Sequence, residues 1–300
     1  MPPRTLEPLD PWTVHLIMTS PSTLMKTWNL RAKKEMGQNF LSDRGTADKI
    51  VARSGITADD VVLEIGAGLG SLTLPLARTA RKVYAIEKDS TLLPPLKDEL
   101  LASGTNNVIL INENILALDI VSIARTEQRS LVVMGNIPYN ISSQILVQLM
   151  TARHHLKKAA LMFQKELAQR IMAAPGSKAY GRLSVMAGYC STVDVITEVK
   201  AACFFPKPKV DSLVIAISFK DRAEPSAKDE SLLFKVVKAS FSKRRKTLRN
   251  ALSGSILQID AATAARELVA AGIDPVRRAE TLTVEEFVHL SNQFYDAGYR

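Results

Sequence analysis

Asp60-Val-Val-Leu-Glu-Ile-Gly-Ala-Gly-Leu-Gly70, followed at once by Ser71-Leu-Thr-Leu-Pro-Leu-Ala-Arg78, sets the architecture of this 300-residue chain. Its first half is a β-branched apolar run with one internal charge, Glu64, the pattern of a strand buried on both faces of a parallel sheet. Three glycines at alternate positions then supply unusual dihedrals and let backbone approach a ligand closely. Residues 71–78 read as the helix that follows. Strand, glycine turn and helix in this order open an α/β domain. A dinucleotide fingerprint wants G-x-G-x-x-G/A, whereas here the third glycine comes one residue early, at Gly70, and position 71 is Ser.

That G-x-G-x-G form, with Glu64 two residues before the first glycine, is similar to the S-adenosylmethionine loop of class I methyltransferases. The next strand, Lys82-Val-Tyr-Ala-Ile86, ends at Glu87, 21 residues after Gly66. A carboxylate at a second strand tip can accept hydrogen bonds from both hydroxyls of a ribose; otherwise it is a surface acid. Residues 90–101 read as a helix interrupted near Pro94-Pro95. Residues 108–111 form a short strand ending in Asn112-Glu113-Asn114, where an amide oxygen can accept from an adenine N6 amine. Leu131-Val-Val-Met134 is a further buried strand, and it runs into Gly135-Asn136-Ile137-Pro138-Tyr139-Asn140. There Asn136 offers an amide oxygen, Pro138 a carbonyl on a chain of fixed φ, and Tyr139 a flat ring. Two acceptors and a stacking face suit a planar base bearing an NH2 group. The alternative is a strand-end turn with a half-buried Tyr.

Upstream, residues 26–35 carry Lys26, Arg31, Lys33 and Lys34 against Glu35, and lead into Met36-Gly-Gln-Asn-Phe-Leu41. Amides beside apolar groups can close over a ligand as a lid, or form a structural turn. Residues 1–20, with acids and several prolines, read as a disordered extension; an internal start at Met18 is an expectation that N-terminal sequencing of native protein checks. No segment approaches the ~20 apolar residues of a membrane span. Two cysteines exclude a disulfide framework and fit a reducing cytoplasm, and four His with two Cys show no metal spacing, so no metal is expected. The net charge of +9 favours a polyanionic partner.

Downstream, a helix over 142–152, a strand over 159–163, a helix to Ala173 and a flexible break at 174–178 lead to a hairpin-like pair, 189–199 and 210–219. Between these strands lies Phe204-Phe-Pro-Lys-Pro-Lys209, whose prolines exclude helix and present aromatics and lysines. One Phe is expected in the core, while the other can cover a base from the face opposite Tyr139. Residues 221–229 have linker composition, and the pattern beyond is wholly helical. The run 235–249 holds seven basic residues (Lys235, Lys238, Lys243, Arg244, Arg245, Lys246, Arg249) and no acid, which fits phosphate contact or a solvated face. The resulting expectation is a disordered extension (1–20), an α/β domain (21–221) and a smaller C-terminal all-helical domain (222–300).

Gly37-Gln-Asn-Phe-Leu41, Glu64-Ile-Gly-Ala-Gly-Leu-Gly70, Asn136-Ile-Pro-Tyr-Asn140, Phe204-Phe-Pro-Lys-Pro-Lys-Val-Asp-Ser212 and Phe241-Ser-Lys-Arg-Arg-Lys-Thr-Leu-Arg-Asn250 occur in that order. Together they resemble the ribosomal RNA adenine-N6 dimethyltransferases, and the last motif resembles the small-subunit (16S) branch. The resemblance runs from about residue 20 to the C-terminus and implies a class I (Rossmann-like) methyltransferase sheet, S-adenosyl-L-methionine as cofactor, and small-subunit ribosomal RNA within an immature 30S subunit as partner. It further implies that Asn39 and Leu41 hold the methionine end of the cofactor, that Gly66 and Gly68 line its loop, and that Glu87 binds the ribose. Asn136 would touch cofactor and target amine, helped by the Pro138 carbonyl, with Tyr139 and Phe204 sandwiching the adenine. Lys243, Arg244, Arg245, Lys246 and Arg249 would bind RNA. Asn114 departs from the Asp usual in the family, which implies altered recognition of the cofactor adenine. The implied activity is dimethylation of two adjacent adenines near the RNA 3′ end, by a monomer. Rival readings are an assembly factor acting mainly by binding, and a large-subunit RNA or DNA adenine methyltransferase; DNA enzymes typically carry (Asp/Asn)-Pro-Pro-Tyr, where this loop has Ile137.

Overall fold

The structure, a computed structural model, describes residues 19–243 and 245–300. Nearly all of the expected N-terminal extension, and Arg244, lie outside the described residues. Nine strands are present among them: β1 (Phe40–Leu41), β2 (Val61–Ile65), β3 (Lys82–Glu87), β4 (Val108–Asn112), β5 (Leu131–Asn136), β6 (Leu156–Gln164), β7 (Ser191–Val199), β8 (Phe204–Phe205) and β9 (Ser212–Phe219). Seven of them form one sheet in the order β4-β3-β2-β5-β6-β9-β7. The first five of that order pair in parallel, and β9 and β7 add antiparallel. All five residues of β2 are buried, as a strand with helices over both faces requires. The order reverses between β2 and β5, so a crevice opens at their C-terminal ends, where open α/β sheets bind ligands. Gly66 and Asn136 stand at those ends.

Two details differ from the sequence reading. Pro94 and Pro95 do not interrupt a helix; they sit in the first turn of Leu93–Ala102, where an absent N–H costs nothing because it has no intrahelical acceptor. The strand expected from residue 189 begins at Ser191, because residues up to Cys190 complete the buried helix Arg182–Cys190. The expected antiparallel pairing then holds between β7 and β9, with β8 leaving the intervening loop to pair with β1.

The C-terminal part is helical, with Glu230–Ser240, Leu248–Leu252, Ala261–Ala270 and Val284–Asp296. Its apolar stripe (Leu232, Leu233, Val236, Val237) is buried in a cluster that also contains Leu213, Ile215 and Ile217 of β9, so core runs without a break from sheet to C-terminal helices. Edge-on ring contacts Tyr180–Phe241 (6.1 Å) and Tyr189–Phe234 (6.3 Å) and an ion pair from the buried Arg153 to Glu230 join the two parts. The basic run 235–249 is not one helix. It spans the end of Glu230–Ser240, a loop, and the start of Leu248–Leu252, which spreads its charges over a corner of the surface.

Candidate active site and nucleic-acid surface

Gly66 and Gly68 hold φ of +74° and +56°, conformations a side chain would strain, and the Phe40 ring lies over Gly68 where a Cβ would come within 3.1 Å of it. This turn carries the Gly68 N–H to Oε2 of Glu87 at 2.9 Å, while Glu87 Oε1 accepts from the Asp89 N–H at 2.8 Å. Glu87 is 8% exposed. Burial raises its pKa, opposed by those two N–H groups. Each carboxylate oxygen keeps a second acceptor position, so a ribose can still be received. Glu64, 1% exposed, is pushed up to about 8 by burial, with the Thr73 hydroxyl opposing and the charge of Glu87 adding to it. Its Oε2 has no hydrogen-bond partner among the described residues.

One cavity is lined by Asn39, Leu41, Gly66, Gly68, Glu87, Asn114, Asn136, Pro138 and Tyr139, so all but one of the sequence-selected catalytic and cofactor residues meet there. The exception is Phe204. It is 4% exposed, set against Leu41 across the β1–β8 pair and packed in a cluster with Met162 and Val214, whereas Phe205 is 40% exposed. The expected division into one core and one exposed ring therefore holds, with Phe205 the exposed one. Phe204, the ring the resemblance selects, is covered in this conformation.

At the β5 tip, Asn136 Nδ2 donates to the Asn39 carbonyl at 2.8 Å, which fixes the amide and leaves Oδ1 without a donor among the described residues. The Pro138 carbonyl, by contrast, already accepts from Ser142 Oγ at 2.8 Å and the Ile141 N–H at 3.3 Å. Ser142 has a second acceptor, the Tyr139 carbonyl, at 3.3 Å, so turning its hydroxyl would release Pro138. Burial raises the pKa of the Tyr139 phenol. Asn114 uses its Oδ1 to accept from the Leu116 N–H at 3.2 Å, which leaves one lone pair and both amide hydrogens for a ligand.

The sequence reading missed Gly135. A Cβ there would lie 2.5 Å from the Ile65 carbonyl, so the closeness of β2 and β5 admits only glycine before Asn136. It also missed Asp89, and with it the bonds by which Lys33 and Gln38, both in the stretch read as a lid or a turn, tie the 33–41 segment to the β3 end. The residue before Asn136 being glycine was a readable signal; the long-range bonds were not.

A second cavity, a groove of about 480 Å³, lies between the two parts of the chain. Arg170, Lys178 and Arg182 line it from the sheet side, and Lys243 and Lys246 from the C-terminal side, against Glu166 and Glu280. Helix Lys165–Ile171, which bears Arg170, starts at the C-terminal end of β6, on the same sheet edge as Asn136. Lys243, Arg245, Lys246 and Arg249 are exposed; Arg245 and Arg249 do not line the groove. No helix of the described residues is long and apolar enough to cross a membrane.

Comparison with known proteins places this geometry. The family described as ribosomal RNA adenine dimethylase matches residues 29–296. A ribosomal RNA small subunit methyltransferase A of Desulforapulum autotrophicum is 52% identical over 278 residues, covering 93% of this chain and 97% of that one. Among solved structures, a dimethyladenosine transferase from Plasmodium falciparum superposes with a TM-score of 0.73 at 28% identity, covering 87% of this chain and 98% of that one. The 23S rRNA methyltransferase ErmE superposes at 0.61 and 25% identity, covering 85% and 98%. A glycine turn feeding a buried strand-tip carboxylate, an amide aimed from the neighbouring strand and a match over nearly the whole chain give one conclusion: this protein belongs to the ribosomal RNA adenine dimethylase family, on an S-adenosylmethionine-dependent methyltransferase fold.

Proposed function

We propose that the chain transfers methyl groups from S-adenosylmethionine to N6 of two adjacent adenines near the 3′ end of small-subunit ribosomal RNA, giving N6,N6-dimethyladenosine, as a cytoplasmic monomer acting on immature 30S subunits. The observation that carries this is the Asn136 amide, whose nitrogen is spent on Asn39 and whose oxygen is free in the cavity.

The residues present fit the cofactor. Gly66 and Gly68 leave room for its close approach, Glu87 accepts from the ribose hydroxyls, Asn114 recognises the adenine, and Asn39 with Leu41 closes over the methionine end. When bound, S-adenosylmethionine supplies a methyl group on a positively charged sulfur. The chain's own task is alignment. Asn136 Oδ1 accepts from the target amine, drawing the nitrogen lone pair out of ring conjugation and aiming it. Pro138 joins as second acceptor once Ser142 turns to the Tyr139 carbonyl. Tyr139 stacks on the base, and the departing proton passes to water. Phe204 completes a sandwich only if the 204–210 loop moves; its covered position makes Tyr139 the first stacking contact. RNA phosphates bind Lys243, Lys246 and their neighbours, Arg244 included.

A labelled methyl donor offered separately to DNA, naked ribosomal RNA and unmethylated small subunits tests the reading. Label is expected on adenine N6 of the small subunits; equal labelling of DNA would overturn it. The basic groove supports a second act, binding to immature subunits in its own right. A methylation-dead Asn136→Ala protein that restores subunit maturation in a cell lacking the enzyme is the outcome expected if binding suffices.

A further inference from the structure

Residues 33–41 cover the cavity with almost no regular structure: one turn of 3-10 helix, Lys34–Met36, and the two residues of β1. Such a segment is held by a few tertiary contacts rather than by its own ladder, and is among the first to open. Its apolar hold is the Phe40 ring, buried with Leu24, Met25, Leu69 and Leu92, and Leu41, buried against Phe204 across the β1–β8 pair. Its polar hold on the β5 side is Asn136 Nδ2 to the Asn39 carbonyl, with Asn140 Nδ2 to the Glu35 carbonyl at 3.1 Å.

On the β3 side the hold converges on one buried carboxylate. Asp89, 3% exposed, accepts from Lys33 Nζ at 2.7 Å on Oδ1 and from Gln38 Nε2 at 2.8 Å on Oδ2. Gln38 Oε1 in turn accepts from the Lys33 N–H at 2.8 Å, closing a ring of three residues. Asp89 also caps the turn Ser90–Leu92 through the Thr91 N–H, and its own N–H goes to Glu87 Oε1. It is bonded on one side to the ribose-binding acid and on the other to the segment that closes the methionine end. Burial works against this charge, but the bonds from Lys33, Thr91 and Gln38 outweigh it and hold the group at about 2, so it stays ionised at every working pH.

We propose that Asp89 is a positioning residue: through Lys33 and Gln38 it latches residues 33–41 over the cavity, setting how tightly the methionine end of the cofactor is held and how Asn136 is aimed, while touching neither. This rests on the reading that the cavity takes S-adenosylmethionine. Asn39, the residue after Gln38, supplies the carbonyl that orients Asn136, so slack at the latch reaches the amide that presents the target amine.

The test separates the latch from a general loss of structure by using two ligands. Adenosine needs Glu87 and Asn114 but not the lid; S-adenosylhomocysteine needs all three. Asp89→Asn keeps the side-chain shape and an oxygen for the Thr91 N–H but faces Gln38 and Lys33 without charge. It should weaken S-adenosylhomocysteine about tenfold and leave adenosine within about twofold. Trypsin cleavage after Arg31, Lys33 and Lys34 should be slowed by S-adenosylhomocysteine in the unaltered protein and hardly at all in the variant. Gln38→Glu, which opposes two carboxylates, should do the same, and the exchanged pair Gln38→Glu with Asp89→Asn should restore binding to within about threefold. Lys33→Met, on a partly exposed side chain, should show the same pattern more weakly without risk to the fold. Equal losses for both ligands, single variants that bind as the unaltered protein does, or an exchanged pair no better than its parents would each overturn the latch. Failure of the unaltered protein to bind S-adenosylhomocysteine would instead overturn the underlying reading.

Discussion

Glu64 and Glu87 of the cavity wall, and Asp89 bonded to Glu87, are buried, and the last two hold fixed backbone or side-chain donors. The exposed cations of the groove contrast with this, apart from Arg170, whose guanidinium meets Glu166 at 2.9 Å. Lys246 is exposed, and neither its side chain nor that of Arg182 has a hydrogen-bond or ion-pair partner among the described residues. The difference teaches where each part keeps its binding energy. In the cavity, desolvation has already been met by the fold, so each bond to a ligand is strong, directional and little screened. At the groove, exposed charges such as those of Lys243 and Lys246 stay hydrated until phosphates arrive, so binding is additive over many weak contacts and falls with salt. One region can be destroyed by a single atom; the other can only be worn down.

The sharpest way to break that contrast is Asn136→Ala. Methyl transfer should fall by about 10²–10³-fold, the cost of removing one preorganised polar group from a reacting centre, while S-adenosylhomocysteine affinity stays within about tenfold. Unchanged turnover in a single-turnover assay would refute the role of the amide. Next in size, Glu87→Gln should weaken S-adenosylhomocysteine by about ten- to a hundredfold through loss of a charge-assisted bond, with RNA affinity unmoved; calorimetry on both ligands reads the split. Lys243→Ala with Lys246→Ala should reduce RNA affinity only a few-fold near physiological salt. Their mark should be a salt slope shallower by about one for each phosphate no longer neutralised, with cofactor affinity unchanged. A groove variant that loses cofactor instead would show the two regions to be one.

Asn114→Asp should tighten S-adenosylhomocysteine by less than about tenfold, since a second full acceptor oxygen would then be available to the adenine amine. A separate effect is expected on stability rather than on binding or turnover. Glu64 keeps its proton up to about pH 8 in the folded chain but ionises near the ordinary carboxylate value when unfolded. Between those values the folded state binds the extra proton, so stability should fall as pH rises and level off above about 8. Glu64→Gln should remove that slope, which thermal melts across the range would read directly. A slope that persists would mean the buried acid titrates elsewhere.

Local pattern carried much of this protein. The apolar run 60–65 and the glycine spacing after it announced a parallel sheet and its cofactor turn, because a strand buried on two faces has no room for polar alternation. Glu87 and Asn136, which end strands, and Asn114, two residues beyond the end of β4, were each legible as strand-tip residues, since strand ends at one sheet edge must converge. The division of Phe204 and Phe205 was visible as a division, but which ring is covered follows from the β1–β8 pairing, a contact between residues far apart in sequence. The prolines at 94–95 were misread because a breaker and a helix opener are the same residue until the helix start is known.

What sequence alone determined, then, is the identity of the chemical groups and the strand tips that bear them. Tertiary structure alone decided which of those groups are already spent: the nitrogen of Asn136 but not its oxygen, the Pro138 carbonyl, and the two oxygens of Asp89. It also brought Arg170 and Arg182 beside Lys243 and Lys246. The physical reason is that residue type sets how many hydrogen bonds a group can make, whereas only packing of distant segments sets how many it has left to offer a ligand.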